Sequence, residues 1–286
     1  MKGNILTRLF AGFAAAALIT ACAGCGNNGG TTASTTTTAA KTNTAAASDD
    51  SLQKVMDAKK LVLGLDASFP PMGFTNEANE IVGFDIDVAQ EVCNRLGIEL
   101  VKQPINWDNK EEDLNLGKID CIWNGMSVNA ARAEAMNLSE PYMNNEMIFV
   151  VPGNSDVKSM DDLKGKTVGV QTGSTAQEIL EAAEIYKDIT VTPLEDNVTL
   201  LNQMELGFSD AVFLDSVVAY YYITENNKDY YVLPDNLESE EYAIGFRKGD
   251  QALRDKVQET LSAMKADGAL GKISEKWFGS DVTTVK

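Results

Sequence analysis

Four short segments carry side chains that could bind a small polar ligand, while the commoner catalytic chemistries have no counterpart here. The 286 residues contain no histidine, which excludes Ser-His-Asp and Cys-His nucleophile systems and any His-ligated metal site. Arg132 is the only cation between Ile119 and Val157. Its planar guanidinium can grip a carboxylate through two parallel hydrogen bonds, or it can sit on the surface and pair with Glu134 or Glu140. The preceding Asn124-Gly125-Met126-Ser127 reads as a donor-rich turn after a strand. Gln171-Thr172-Gly173-Ser174-Thr175 falls between a strand and a helix, where amides and hydroxyls can face an anion or simply cap the helix. Asp215 ends an apolar run and opens another helix, so it can accept an ammonium or cap. Asp66-Ala67-Ser68-Phe69-Pro70-Pro71 adds an acid and an aromatic ring after the first strand. A cation, anions and backbone donors are what a zwitterion needs in a dry cleft.

Two other patterns have simpler explanations. Gly165-Lys166-Thr167 matches the end of a phosphate-binding loop, but position 160 is Met rather than Gly, so a solvated turn before a strand is expected. Asp85-x-Asp87 could suggest a metal pair, yet it sits where a helix starts and is read as capping. No metal site and no cofactor are expected.

The elements that must position these residues alternate strand and helix. Apolar runs at Leu61 to Leu65, Ile119 to Trp123, Met147 to Val151, Thr167 to Val170 and Ala211 to Leu214 read as strands. Helical spacing appears at Asp87 to Leu96, Thr175 to Glu184 and Val217 to Ile223, then at Leu253, Val257, Leu261 and Met264, with a last short helix into Trp277-Phe278. This is an α/β pattern with largely parallel sheets, without an internal repeat of fixed period. Apolar strands ending in Gly-containing turns, around Val150 to Asn154 and Tyr242 to Phe246, are expected to cross between two lobes. Residues 49–149 and 246–286 would then form one lobe and 150–245 the other, with hinge strands absorbing a closing motion.

The N-terminus has the order of a secretory signal over residues 1–21: Lys2 and Arg8, then an apolar run from Leu9 to Ile19 too short to span a bilayer. Leu18-Ile19-Thr20-Ala21-Cys22 resembles a bacterial lipobox, which would leave Cys22 as a mature N-terminus carrying lipid (diacylglycerol and an acyl chain such as palmitate), with Cys25 a second candidate. An ordinary secretory signal is the alternative. Residues 22–48, rich in Thr, Ala and Gly, read as a tether. Removing residues 1–21 takes away two cations and no acid, so the formal charge goes from −18 to −20; this acidity disfavours nucleic acid as a partner and serves solubility. Cys93 and Cys121 are the cysteines left in the main body, and composition leaves their pairing open.

Taken in order, LVLGLDASFPPMGF, IVGFDIDVAQEV, LNLGKIDCIWNGMSVNAAR, LSEPYM, VGVQTGSTAQEIL, DAVFLDSVVAYY, IGFRKGD and DGALGKISEKWFG resemble the polar amino-acid-binding proteins of bacterial ABC importers, from about residue 52 to 279. The resemblance implies a two-lobe, type II periplasmic-binding fold, each lobe a mixed, largely parallel sheet flanked by helices. It implies that Arg132 binds a ligand α-carboxylate with Ser127 and the Ser174-Thr175 turn, and that Asp215 and the Gly125 carbonyl hold the α-ammonium. Phe69 would lie over the ligand, and Asp66, Trp107 and Asn124 would set selectivity towards a polar or cationic amino acid; lysine, arginine, histidine, glutamine and cystine all stay open. The chain departs from the family at Trp123-Asn124-Gly125 and at Asn129, and Leu100 stands where some members carry the cysteine that pairs with the one at the Cys93 position. The implied partners are a free amino acid, the transmembrane subunits of an ABC permease and, through the lipid, the outer face of the cell membrane; the chain is expected to act as a monomer. The same fold also supports cyclohexadienyl and arogenate dehydratases, for which Glu111, Glu112 or Asp66 would be candidate acids, and sensor domains of receptors.

Overall fold

The computed structural model describes residues 49–286; the signal sequence, Cys22, Cys25 and the tether lie outside them. The chain runs through α1 (Ser51–Ala58), β1 (Lys60–Leu65), β2 (Ser68–Phe69), β3 (Gly73–Thr75), β4 (Ile81–Val82), α2 (Phe84–Leu96), β5 (Glu99–Pro104), α3 (Lys110–Asn115), β6 (Cys121–Ser127), α4 (Ala130–Ala135), β7 (Asn137–Leu138) and the long β8 (Met143–Pro152). It continues through β9 (Thr167–Gln171), α5 (Thr175–Ala182), β10 (Thr190–Leu194), α6 (Asn197–Glu205), β11 (Ala211–Asp215), α7 (Ser216–Thr224), β12 (Tyr230–Phe246), α8 (Gln251–Ala266) and α9 (Ala269–Phe278).

The main sheet has the order β10-β9-β11-β8-β12-β6-β1-β5, with β7 also paired to β12. Its two flanks are parallel, β5-β1-β6 on one side and β10-β9-β11 on the other, and the antiparallel pair β8 and β12 joins them. Parallel strands covered by helices on both faces read as nearly continuous apolar runs, and Leu61, Leu63 and Leu65 of β1 are fully buried. Each such leucine contributes about 1.5–3 kcal/mol. On α8 the spacing of Leu253, Val257, Leu261 and Met264 buries one face, as the sequence pattern requires.

Three local expectations are corrected. Helix α2 starts at Phe84 rather than Asp87, and neither acid caps it: the N-cap is Gly83, with no side-chain cap bond. Asn124 to Ser127 is not a turn but the second half of β6, buried along its whole length. Helix α5 ends at Ala182, and a 3-10 turn follows it at Glu184–Asp188. Cys93 and Cys121 are both buried free thiols.

Candidate functional site

Asp66 follows β1, Ser127 ends β6, Gln171 ends β9 and Asp215 ends β11, so the carboxyl ends of strands from both flanks meet, the usual ligand position in open α/β sheets. They border a narrow cavity of about 20 Å3 lined by Asp66, Phe69, Trp107, Asn124, Gly125, Ser127, Arg132, Ser174, Thr175 and Asp215, together with Met147 and Gln171. All ten residues singled out from the sequence therefore border one cavity.

At one end Arg132 projects from α4 and is 3% exposed. Its Nη1 donates to the Ser127 carbonyl at 2.8 Å, while Asn129 Oδ1 caps the helix by accepting the Arg132 backbone N–H at 2.8 Å. Nη2 is buried and has no hydrogen-bond partner. Among the described residues the guanidinium forms no ion pair, so the surface pairing with Glu134 or Glu140 does not occur; burial lowers its pKa. Ser174 caps α5, its Oγ accepting the Gln177 N–H at 3.1 Å and donating to the Gln171 carbonyl at 2.7 Å. The neighbouring Thr175 Oγ1 is buried without a partner.

Asp215 is the N-cap residue of α7, but its side chain makes no cap hydrogen bond. Its Oδ1 accepts from Asn145 Nδ2 at 2.8 Å and from the Tyr242 hydroxyl at 2.6 Å, and burial pushes its carboxyl up to about 6 against the opposing pull of those donors and of Arg132. Next to it Ser127 Oγ donates to Glu240 Oε2 at 2.8 Å. Glu240 is pushed up to about 7, chiefly by burial and then by the charge of Asp215.

At the other end Asp66 accepts the Ser68 N–H on Oδ1 at 2.8 Å and Gln171 Nε2 on Oδ2 at 2.7 Å. Burial raises its carboxyl to about 6. Asn124 Oδ1 accepts the Asp66 N–H at 2.8 Å, and its Nδ2 has no partner. Phe69 ends β2, and Trp107 opens a 3-10 turn capped by Asn106.

Sequence reasoning missed three groups around this cavity. Lys110 is buried and donates to the Gly173 carbonyl at 2.9 Å and the Trp107 carbonyl at 3.2 Å; burial lowers it to about 8. Glu240 lies inside a run of acids that looks solvated in sequence. Asp85, which in sequence stands where a helix cap is expected, is fully buried beneath Gly125 and raised by burial to about 7. Among the described residues no cluster of three or more Cys, Asp or Glu side chains could hold a metal ion. The cavity thus pairs unfilled donors with carboxylates, the equipment of a binding site for a small charged molecule.

A two-lobed α/β fold with such a cleft defines a solute-binding class. The chain belongs to the bacterial extracellular solute-binding proteins, family 3, whose pattern matches residues 61–280. It is 31% identical over 234 residues to the L-cystine-binding protein TcyJ of Escherichia coli K12, covering 81% of this chain and 87% of that protein. It is likewise 31% identical over 224 residues to the arginine-binding extracellular protein ArtP of Bacillus subtilis, covering 77% and 86%. Among solved structures, an ABC uptake transporter substrate-binding protein from Streptococcus pneumoniae with bound histidine is 37% identical with a TM-score of 0.80, covering 84% of this chain and 100% of that one. The fold is that of the type II periplasmic binding proteins, and the protein is a binding protein rather than an enzyme, so the dehydratase alternative is set aside. Among the described residues no helix is long and apolar enough to cross a membrane.

Proposed function

We propose that this chain is the extracytoplasmic substrate-binding lipoprotein of an amino-acid ABC transporter. It captures a polar or cationic L-amino acid between its lobes and delivers it to the membrane permease. The observation that carries this reading is the pair of buried, unpartnered donors Arg132 Nη2 and Thr175 Oγ1 in one cavity with the buried carboxylates Asp66 and Asp215. An unfilled buried donor costs about 1–3 kcal/mol, and a ligand carboxylate would satisfy both donors, leaving Asp215 for the α-ammonium and Asp66, Phe69 and Trp107 for the side chain. Relatives named for cystine and arginine, and a structure with bound histidine, support an amino-acid ligand. The lobes are assigned as 49–149 with 246–286 and as 150–245, and β8 and β12 form the hinge. Ligand linking the two would shift an open-closed equilibrium.

Calorimetry on Arg132→Ala tests the clamp. Leaving a ligand carboxylate without its buried partner costs about 3–5 kcal/mol, a loss in affinity of about a hundredfold or more; unchanged binding would remove Arg132 from the site. The anchor is tested by fractionation. Cys22→Ala protein should leave the membrane fraction while its amino-acid affinity stays the same, and continued membrane association would exclude lipidation at Cys22.

A further inference from the structure

Asp85 has no contact with the cavity, yet it controls part of its wall. Its Oδ2 accepts the Gly125 N–H at 2.7 Å and the Tyr142 hydroxyl at 2.9 Å, and that hydroxyl lies 3.2 Å from the same N–H. Strand β6 pairs with β12 on both sides of this point, but the register shifts between Ala243, opposite Met126, and Gly245, opposite Ile122. Such irregularities leave a backbone group outside the ladder, and a buried N–H must find an acceptor elsewhere. Asp85 is that acceptor. That bond anchors the backbone of Gly125, which lines the cavity together with Asp215. Gly125 takes φ +56°, and a Cβ there would lie 2.9 Å from Phe69 Cε1 and 3.1 Å from Tyr242 Cε2. Tyr242 in turn donates its hydroxyl to Asp215, so Gly125 and Asp215 flank one ring.

We infer that Asp85 is a positioning residue for ligand recognition: by fixing the Gly125 N–H it holds the Gly125 backbone against the cavity, so that the Gly125 carbonyl, together with Asp215, meets the ammonium of the ligand. This rests on the amino-acid reading proposed above. The preceding residue reaches the other end of the cavity, since the Asn124 side chain accepts the Asp66 N–H on Oδ1. Sequence alone places Asp85 in the first turn of a helix, where acids are common for another reason.

The test uses Asp85→Asn, which keeps the shape and removes the charge that strengthens both bonds. L-arginine, L-histidine and L-cystine are titrated by calorimetry, each beside its des-amino counterpart. The amino acid that binds should lose about tenfold or more in affinity, whereas its des-amino counterpart should change less than about twofold. Equal losses for both would mean a merely structural role and overturn the inference, as would no loss for either. Should Asp85→Asn not fold, Tyr142→Phe removes the second donor to the carboxylate and should give a smaller selective loss in the same direction; an unselective one overturns the inference. If the wild type binds none of the three amino acids, L-lysine and L-glutamine are titrated in the same way, and the functional reading fails when these do not bind either. Amide hydrogen exchange at Gly125 then decides the positioning role, faster exchange in the variant supporting it and unchanged exchange refuting it.

Discussion

Four buried carboxylates lining or underlying the cavity, Asp66, Asp85, Asp215 and Glu240, all have pKa values raised by burial, to about 6, 7, 6 and 7. For an acid raised in the folded state, protons bind more tightly to the native chain than to the unfolded one. The stability this gives is complete below the unfolded pKa near 4 and is lost as pH rises through 6 to 7. Acids whose pKa is lowered, such as Asp281 at about 2, have already titrated by pH 5 and do not contribute above it. The ligand-free protein should therefore lose stability between pH 5 and pH 7.5. Glu240→Gln should remove the share due to Glu240, on the order of 2–3 kcal/mol from a rise from 4.5 to about 7. Thermal unfolding at the two pH values checks this, and a slope identical to that of the wild type would show that Glu240 does not titrate there. In a transporter subunit this electrostatic cost is one that a bound ammonium would relieve.

The elements follow from sequence more directly than the site does. Period-two and period-3.6 patterns locate β1, β9, β11, α5 and α8 within a few residues, because burial of apolar side chains decides both the pattern and the packing. The misplacements have a common cause. Asn124-Gly125-Met126-Ser127 looks like a turn because its residue types prefer turns, but its backbone is sheet, and the Gly125 N–H, the Ser127 hydroxyl and carbonyl and Asn124 Oδ1 find partners in Asp85, Glu240, Arg132 and the Asp66 N–H. Asp85 and Glu240 look like surface acids because charged residues are seldom buried without partners, and their partners Gly125 and Ser127 lie 40 and 113 residues away. Local pattern carries no information about such distant pairings. The roles expected of Arg132 and Asp215 come from resemblance, and position alone gives each a bland alternative; Arg132 makes no surface ion pair, and Asp215, although the N-cap residue of α7, turns its carboxylate to Asn145 and Tyr242 rather than to the helix.

At the scale of the whole molecule, the cavity is ringed by bonds between the two flanks of the sheet. Asp66 accepts from Gln171, Lys110 donates to the Gly173 carbonyl, Asn106 Nδ2 donates to Glu195 at 3.0 Å and Asn129 Nδ2 to Glu178 at 2.9 Å. The closing motion proposed for the lobes must make and break this ring. At Gly173 the flanks leave no room for a side chain: a Cβ there would lie 2.8 Å from Asp108 Oδ1 and 2.9 Å from its Cα. Gly173→Ala has two separable effects. Its φ of +69° strains an alanine in open and closed forms alike, costing about 1–2 kcal/mol of fold stability without changing affinity. In the proposed open form the flanks part, so the collision with Asp108 would be confined to the closed form, and overpacking of about 1–3 kcal/mol would weaken ligand binding about 5- to 150-fold. Lys110→Met removes a link without adding a clash and should act in the same direction more weakly. Spin labels on cysteines introduced at the exposed Glu99 and Glu181 would report the separation of the flanks directly, since Cys93 and Cys121 are buried and their thiols raised in pKa and react slowly. A longer distance in ligand-free Gly173→Ala than in the wild type is expected, and equal distances together with equal affinities would show that this contact has no part in closure.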